Sequence, residues 1–278
     1  VSLTLFALMA FAANSVLCRL ALEQPSIDAG TFTTVRLLSG AVVLWVLFQL
    51  SGRRSVTAAS RGNWAAAFFL FTYAATFSYA YLSLDTATGA LILFGSVQIS
   101  MILYALLTGN RLSVAEWIGT GTAFAGFVYL MLPGVSTPSL AGFLLMSLAG
   151  FAWGGYTVIG RGSHNPLADT TANFIRTLPF VAGLLLVTQS HSHVTTAGLA
   201  YAALSGAIAS GLGYAIWYRA LRGLQTSTAA VVQLLVPLLA AAGGVLLLGE
   251  SISARLFISA GLILGGILLV VSRQSSRT

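Results

Sequence analysis

Thr226–Val271 reads TSTAAVVQLLVPLLAAAGGVLLLGESISARLFISAGLILGGILLVV, two apolar runs joined by the polar hinge Gly249-Glu250-Ser251. A helix rises about 1.5 Å per residue, so about 20 apolar residues cross the hydrocarbon core of a bilayer. Each run is long enough. Pro237 interrupts the first run near its middle, and Gln233 stands one turn before it. A proline and an amide inside a spanning helix are costly; they occur where a bundle bends or lines a pathway.

The rest of the chain has the same texture. Of 278 residues 57% are hydrophobic and only 7% charged, against roughly 25% charged in soluble domains. The expected fold class is therefore an all-α polytopic membrane protein. Hydropathy and breakers predict ten transmembrane helices: Leu3–Leu22, Gly30–Leu50, Trp64–Leu84, Thr86–Thr108, Ala115–Leu132, Leu140–Gly160, Thr170–Gln189, Ala197–Arg219, Thr226–Gly249 and Ala254–Ser272. The first run lacks a basic flank and matches a later helix, so it is expected to be a retained span and not a signal peptide. The single cysteine, Cys18, excludes an intrachain disulfide.

All 13 basic residues are arginines, and the net charge is +7. They sit mainly in short loops between spans, so the charge points to membrane topology and not to nucleic acid. With both termini in the cytoplasm, nine fall on that side: Arg53, Arg54, Arg61, Arg111, Arg161, Arg219, Arg222, Arg273 and Arg277. This predicts a multi-pass protein of the cell inner membrane with N- and C-termini inside.

A shift of 140 lays Gly109-Asn110-Arg111-Leu112-Ser113 on Gly249-Glu250-Ser251-Ile252-Ser253, Gly121 on Gly261, and Arg36 on Arg176. A shift of 142 lays Arg19 on Arg161 and Phe11 on Trp153. The unit is five helices, an odd number, so the second copy enters the membrane inverted. The expected organisation is two inverted-topology five-helix repeats, residues 1–139 and 140–278. Secondary transporters recurrently place their site between such halves.

Two stretches now carry a resemblance: SGLGYAIWYRAL (Ser210–Leu221) and the Pro237…Gly249-Glu250 pattern. They resemble the second EamA-type repeat of the drug/metabolite transporter superfamily, and the likeness extends over ten spans with an arginine early in spans two and seven. The first repeat departs from the pattern, with Val97-Gln98 in place of the proline and Asn110 in place of the glutamate. Within the superfamily the chain looks most like bacterial amino-acid exporters, including the aromatic type. The resemblance implies export of a small-molecule substrate across a lipid bilayer. A drug or other-metabolite carrier of the same superfamily is the alternative; a non-transporting scaffold or a lipid-substrate membrane enzyme is the alternative from another class. Monomer and homodimer both remain open.

The six acids, Glu23, Asp28, Asp85, Glu116, Asp169 and Glu250, all map to span ends or loops. Coupled carriers commonly keep a carboxylate at mid-membrane, so uncoupled, facilitated transport is expected. The spans contain no nucleophile–base pair, no metal cluster and no cofactor motif, and the chain is not expected to be an enzyme. His191-Ser192-His193 reads as a solvated loop.

Mid-span amides and aromatics are the candidate substrate-binding residues: Asn14, Tyr79, Gln98, Trp153, Tyr156, Tyr214 and Gln233. Each can equally serve helix packing or interhelical hydrogen bonding. Tyr81 and Tyr218 correspond under the repeat and fit gates near opposite surfaces. Gly154, Gly155, Pro179 and Pro237 are expected hinges. Arg36 and Arg176 have two readings, a gate that attracts carboxylates in each vestibule or a tie to a loop or helix C-terminus on its own side. Gly261-x3-Gly265 and Gly121-x3-Ala125 read as close-packing seams.

Overall fold

The computed structural model describes residues 2–23, 26–51, 62–109, 113–132, 137–160, 163–188, 193–221 and 232–275. Several sequence motifs fall outside these residues: Asn110-Arg111-Leu112, His191-Ser192, Thr226–Val231, and Arg53, Arg54, Arg61, Arg161, Arg222 and Arg277.

The described residues form α-helix without a named strand. In chain order the helices are α1 (Ser2–Glu23), α2 (Ala29–Leu50), α3 (Trp64–Ala80), α4 (Thr86–Leu107), α5 (Val114–Met131), α6 (Leu140–Gly160), α7 (Pro166–Arg176), α8 (Leu178–Thr188), α9 (Thr196–Leu204), α10 (Gly213–Leu221), α11 (Leu235–Gly243) and α12 (Ala254–Ser275). A π-helical segment, Ser205–Leu212, joins α9 to α10, and a second, Gly244–Leu248, extends α11. Six rods are long and apolar enough to cross a bilayer: Leu3–Glu23, Ala29–Leu50, Thr86–Tyr104, Leu140–Gly160, Pro166–Thr188 and Thr196–Ala220. Leu235–Leu248 and Ala254–Val270 are shorter apolar helices. Large apolar side chains cover the outside; Leu186, Leu246 and Phe257 are each 70% exposed or more. Such a surface matches acyl chains and not water.

Polar residues set the helix ends. Asp28 caps α2 by accepting from Thr31 N at 2.9 Å. Ser113 and Glu116 form a reciprocal capping box at α5; each such cap contributes about 1 kcal/mol. At one end of the bundle the α1–α2 and α8–α9 connections meet, with Asp28 N bonded to His193 O at 3.0 Å and Thr195 N to Ser26 O at 2.7 Å. At the other end Gly62 N donates to Asp169 at 3.1 Å and Asn63 N to Asn173 at 2.8 Å, fastening α3 to α7.

Inside, α3 packs along α6, while α1 packs along the α9–π–α10 rod; α5 pairs with α12, and α4 lies against α6 and α11. The α5–α12 seam differs from its expected form. Backbones approach through Gly119 and Gly266, each placed so that an added Cβ would strike the other's carbonyl oxygen, with Gly126 against Ile263. Gly121, Gly261 and Gly265 face open space. The small residues sit one helical face away from the expected stripe. The burial pattern of residues 113–123 recurs unchanged at 253–263, at the sequence spacing of 140. Ser253 Oγ accepts from Leu256 N at 3.1 Å, as Ser113 Oγ accepts from Glu116 N at 3.3 Å.

Candidate functional site: a buried cation in an aromatic pocket

Two turns into α2, the Arg36 side chain leaves the helix toward the π segment and is 1% exposed. The backbones come close enough for this because Gly40 and Gly206 face each other; an added Cβ on Gly206 would strike the Arg36 carbonyl oxygen and Ser39 Oγ. The guanidinium donates from Nε to Ser210 Oγ at 3.1 Å, and from Nη2 to the hydroxyls of Tyr73 at 3.0 Å and Tyr214 at 3.3 Å. Its carbon lies 5.0 Å from the Tyr73 ring centroid and 4.8 Å from that of Phe77. Among the described residues Nη1 has no hydrogen-bond partner. None of the chain's six carboxylates, all within the described residues, pairs with Arg36. An arginine cannot discharge by losing its proton. Hydrogen bonds to a charged group contribute roughly 1.5–3 kcal/mol each, and desolvated ring contacts up to about 2. Together these are of the order of the several kcal/mol an ion loses on burial. The neutral groups can hold the charge but cannot neutralise it.

The π segment supplies both serines of this cluster. In an α-helix residues five apart stand about 140° apart around the axis, at 3.6 residues per turn. The i→i+5 ladder of a π-helix lengthens the turn and brings such residues back toward one face. Ser205 and Ser210 are so related. Ser210 meets Arg36, and Ser205 Oγ donates to Asn14 Oδ1 at 2.5 Å, while Asn14 Nδ2 donates to the Tyr73 hydroxyl at 3.3 Å. Five elements, α1, α2, α3, the π segment and α10, are thereby tied at one polar point.

Around that point the rings form a column through the bundle. Tyr81 meets Phe77 at 4.8 Å between centroids, Phe77 meets Tyr73 at 5.5 Å, and Tyr73 meets Trp153 at 5.0 Å. Trp153 contacts Tyr214 at 4.7 Å and Tyr156 at 5.6 Å, and Tyr156 reaches Tyr218 at 6.3 Å. A cavity of about 10 Å³, lined by Asn14, Tyr73, Phe77, Trp153 and Tyr214 among others, lies at the middle of the column. That is room for about one water. The column continues past it through Tyr81 in one direction and Tyr156 and Tyr218 in the other.

Three comparisons bear on what such a bundle is. A family model described as the EamA-like transporter family matches residues 140–272. A Pseudomonas aeruginosa relative, described as an uncharacterized protein, is 52% identical over 99% of this chain and 95% of its own. An Escherichia coli protein named "Probable amino-acid metabolite efflux pump" is 29% identical over 66% of each chain. A solved crystal structure with 20% identity has the same fold, with a TM-score of 0.65 over 97% of this chain and 96% of that one. The chain belongs to the EamA-like transporter family. It is a multi-pass membrane transporter, with lipid around it and a small molecule as cargo.

Within this EamA-type bundle the residues singled out by sequence separate into two groups. Asn14, Trp153 and Tyr214 line the central cavity, and Tyr156 stacks on Trp153 just beyond it. Tyr79 is half-buried on another face of α3; Gln98 and Gln233 are buried away from the cavity lining. Tyr73 and the Ser205–Ser210 pair are the functional candidates that sequence reasoning missed. Arg36 departs from both of its expected settings: it ties no loop and stands in no vestibule. Arg176 ends α7 and places its guanidinium 5.7 Å from the Trp64 ring, beside Gly62, at the N-terminal end of α3.

Of the expected hinges, Gly154 and Gly155 sit inside the unbroken α6, facing Ser100 and Phe69 at close contact. Pro179 follows the α7–α8 break at Thr177, and Pro237 follows a turn at Leu234. Proline supplies no N–H to the carbonyl four residues earlier, which explains why regular helix lapses before Pro237. Tyr81 closes α3, its ring against Gly89 and its hydroxyl donating to Thr86 O at 3.4 Å. Tyr218 packs on Gly160 at the opposite end.

Beside Tyr81, Glu250 accepts from Thr86 N at 2.8 Å and Thr86 Oγ1 at 2.8 Å, capping α4 from a distant part of the chain. Arg19 Nε stands 3.6 Å from Glu250, and Arg19 Nη1 donates to Tyr81 O at 3.1 Å. A cavity of about 230 Å³ opens at this end between α4, α11 and the 250–253 loop.

Proposed function

We propose that this transporter exports small neutral or zwitterionic metabolites, with amino acids the leading class, by alternating access about the central aromatic cavity. The observation that carries this reading is the cavity's position. It is lined from α1, α3 and α4 of one sequence half and from α6 and α10 of the other, and the column of rings runs on past it in both directions. In the proposed organisation, residues 1–139 and 140–278 are inverted repeats, both termini are cytoplasmic, and the halves rock about that point. The recurrence of burial and capping between α5 and α12 supports the repeat. Rings suit an apolar side chain, and the Asn14–Tyr73–Ser205 hydroxyls and amide suit polar ends.

The acids lie at helix ends and connections, so no carboxylate of the chain stands in the central cluster to relay a proton. Transport is therefore proposed as uncoupled, running down the solute gradient. The relative named as an amino-acid metabolite efflux pump adds direction and substrate class to the reading. Counterflow in proteoliposomes with a panel of amino acids, with and without a pH gradient, tests it. Exchange indifferent to the gradient is expected; absence of any amino-acid exchange refutes the substrate class, and strict dependence on the gradient refutes the uncoupled mechanism.

A further inference from the structure

We infer that Arg36, with the hydroxyls of Tyr73 and Tyr214, forms the subsite that receives the carboxylate of the transported solute, an assignment that rests on the function proposed above. A guanidinium has five N–H groups. Nε uses one on Ser210 and Nη2 uses two on the tyrosines, which leaves both N–H groups of Nη1. The Tyr73 oxygen also receives the Asn14 amide, and the Asn14 oxygen is taken by Ser205. Neither a guanidinium nor an amide nitrogen can accept, and the Tyr73 and Tyr214 hydroxyls, hydrogen-bonded to each other, use one phenolic proton between them and leave the other to be directed elsewhere. The cluster is rich in donors, carries a full positive charge, and contains no anionic acceptor.

Position gives this imbalance its meaning. Tyr73 and Tyr214 line the central cavity, and Arg36 stands directly behind their hydroxyls. An anion at that wall meets two phenols already hydrogen-bonded to a guanidinium, in surroundings where charge is poorly screened. One arginine balances one negative charge, and the phenolic O–H groups in front of it can turn to donate to a carboxylate. The rings of Phe11, Phe77 and Trp153 occupy the remaining wall and suit an apolar side chain on the same solute.

The test uses the full-length protein in proteoliposomes loaded with phenylalanine, challenged with phenethylamine, which lacks the carboxylate, and 3-phenylpropionate, which lacks the amine. In the wild type, phenylalanine and 3-phenylpropionate should compete for uptake, and phenethylamine should compete roughly tenfold or more weakly, because a site built for a polar group rejects an analogue without it. Arg36→Gln should erase that discrimination and Arg36→Lys should restore part of it. Tyr214→Phe keeps the ring and should weaken the discrimination even if Arg36→Gln does not fold. Equal competition by phenethylamine in the wild type, or unchanged discrimination in Arg36→Gln or Tyr214→Phe, overturns the subsite while leaving amino-acid transport standing. Should phenylalanine not be carried, thermal stabilisation of the wild type by 3-phenylpropionate and not by phenethylamine would uphold the anion subsite and overturn the amino-acid reading alone.

Discussion

Arg36 Nη2 stands 3.0 Å from the Tyr73 hydroxyl, and through that one oxygen α2, α3 and, by way of Asn14, α1 share a buried polar junction. The oxygen accepts two N–H groups, whereas the Tyr214 hydroxyl accepts one, from Arg36 at 3.3 Å, and otherwise meets the hydroxyls of Tyr73 and Ser210, which can turn to other acceptors. Removing the first should therefore leave more donors unsatisfied. Tyr73→Phe is expected to destabilise the protein by about 1–3 kcal/mol, and Tyr214→Phe by less. Thermal unfolding in detergent gives the comparison; equal losses would mean that the junction is not organised around Tyr73.

Gly206 tests the backbone contact that puts Arg36 within reach of Ser210. An added methyl would meet Ser39 Oγ, which can rotate away, and the Arg36 carbonyl, which cannot withdraw without shifting α2. Gly206→Ala should cost more than about 2 kcal/mol or prevent folding, while Gly183→Ala, where nothing lies within 4 Å, should be nearly neutral. Similar behaviour of the two variants in size-exclusion and unfolding measurements would count against the close approach.

These contacts also mark where sequence reading stops. Class and rod positions follow from long apolar runs broken at Gly, Pro and charged residues, and Trp153, Tyr214 and Asn14 could be chosen by type and depth. Arg36 could not be placed, because its match to Arg176 suggested equivalent settings near opposite surfaces. Arg176 meets a helix end at Trp64, whereas Arg36 meets a π segment with its own geometry. Nothing in a 3.6-residue period puts Ser205 and Ser210 together. In the same way α12 offers Gly261, Gly265 and Gly266, and only packing selects Gly266 as the contact with α5.

Glu250 holds the end of α4 nearest Arg19 and Tyr81. A glutamine keeps the shape but loses the charge that attracts Arg19 and strengthens both Thr86 bonds. Glu250→Gln should open this end more often. Cys18, fully buried one residue before Arg19 and the chain's single cysteine, reports it directly. Labelling by a small maleimide should be slow in the wild type and several-fold faster in the variant; unchanged labelling would show that Glu250 does not hold the closure.

Acid should loosen the same end by another route. Burial alone would raise the Asp28 pKa, but hydrogen bonds from Thr31 and from the His193 N–H at 3.1 Å outweigh it and bring the carboxyl below its usual value of 3.8. A group with a lowered folded pKa stabilises above its unfolded pKa, and that contribution is lost as pH falls through the folded value. The wild type should therefore lose stability relative to Asp28→Asn between about pH 4 and pH 3 and not between pH 7 and pH 5. Melting temperatures across that range decide it; a constant difference between the two proteins would refute the role of the Asp28 charge.

Trp153 and Gln98 separate the lining from the residues behind it. Both are buried and near mid-span, and sequence alone ranks them together as cavity candidates. The structure puts the Trp153 ring against Tyr73, Tyr214 and the cavity, and leaves Gln98 off its wall. Trp153→Leu removes a stacking surface, so competition by bulky aromatic amino acids should weaken relative to that by leucine, by roughly three- to tenfold on a loss of about 0.5–1.5 kcal/mol. Gln98→Ala should leave that ratio within a factor of two while lowering stability, since its side chain is buried off the cavity wall. A shifted ratio in Gln98→Ala with none in Trp153→Leu would move the site along α4, one turn from Phe94, and away from the aromatic column.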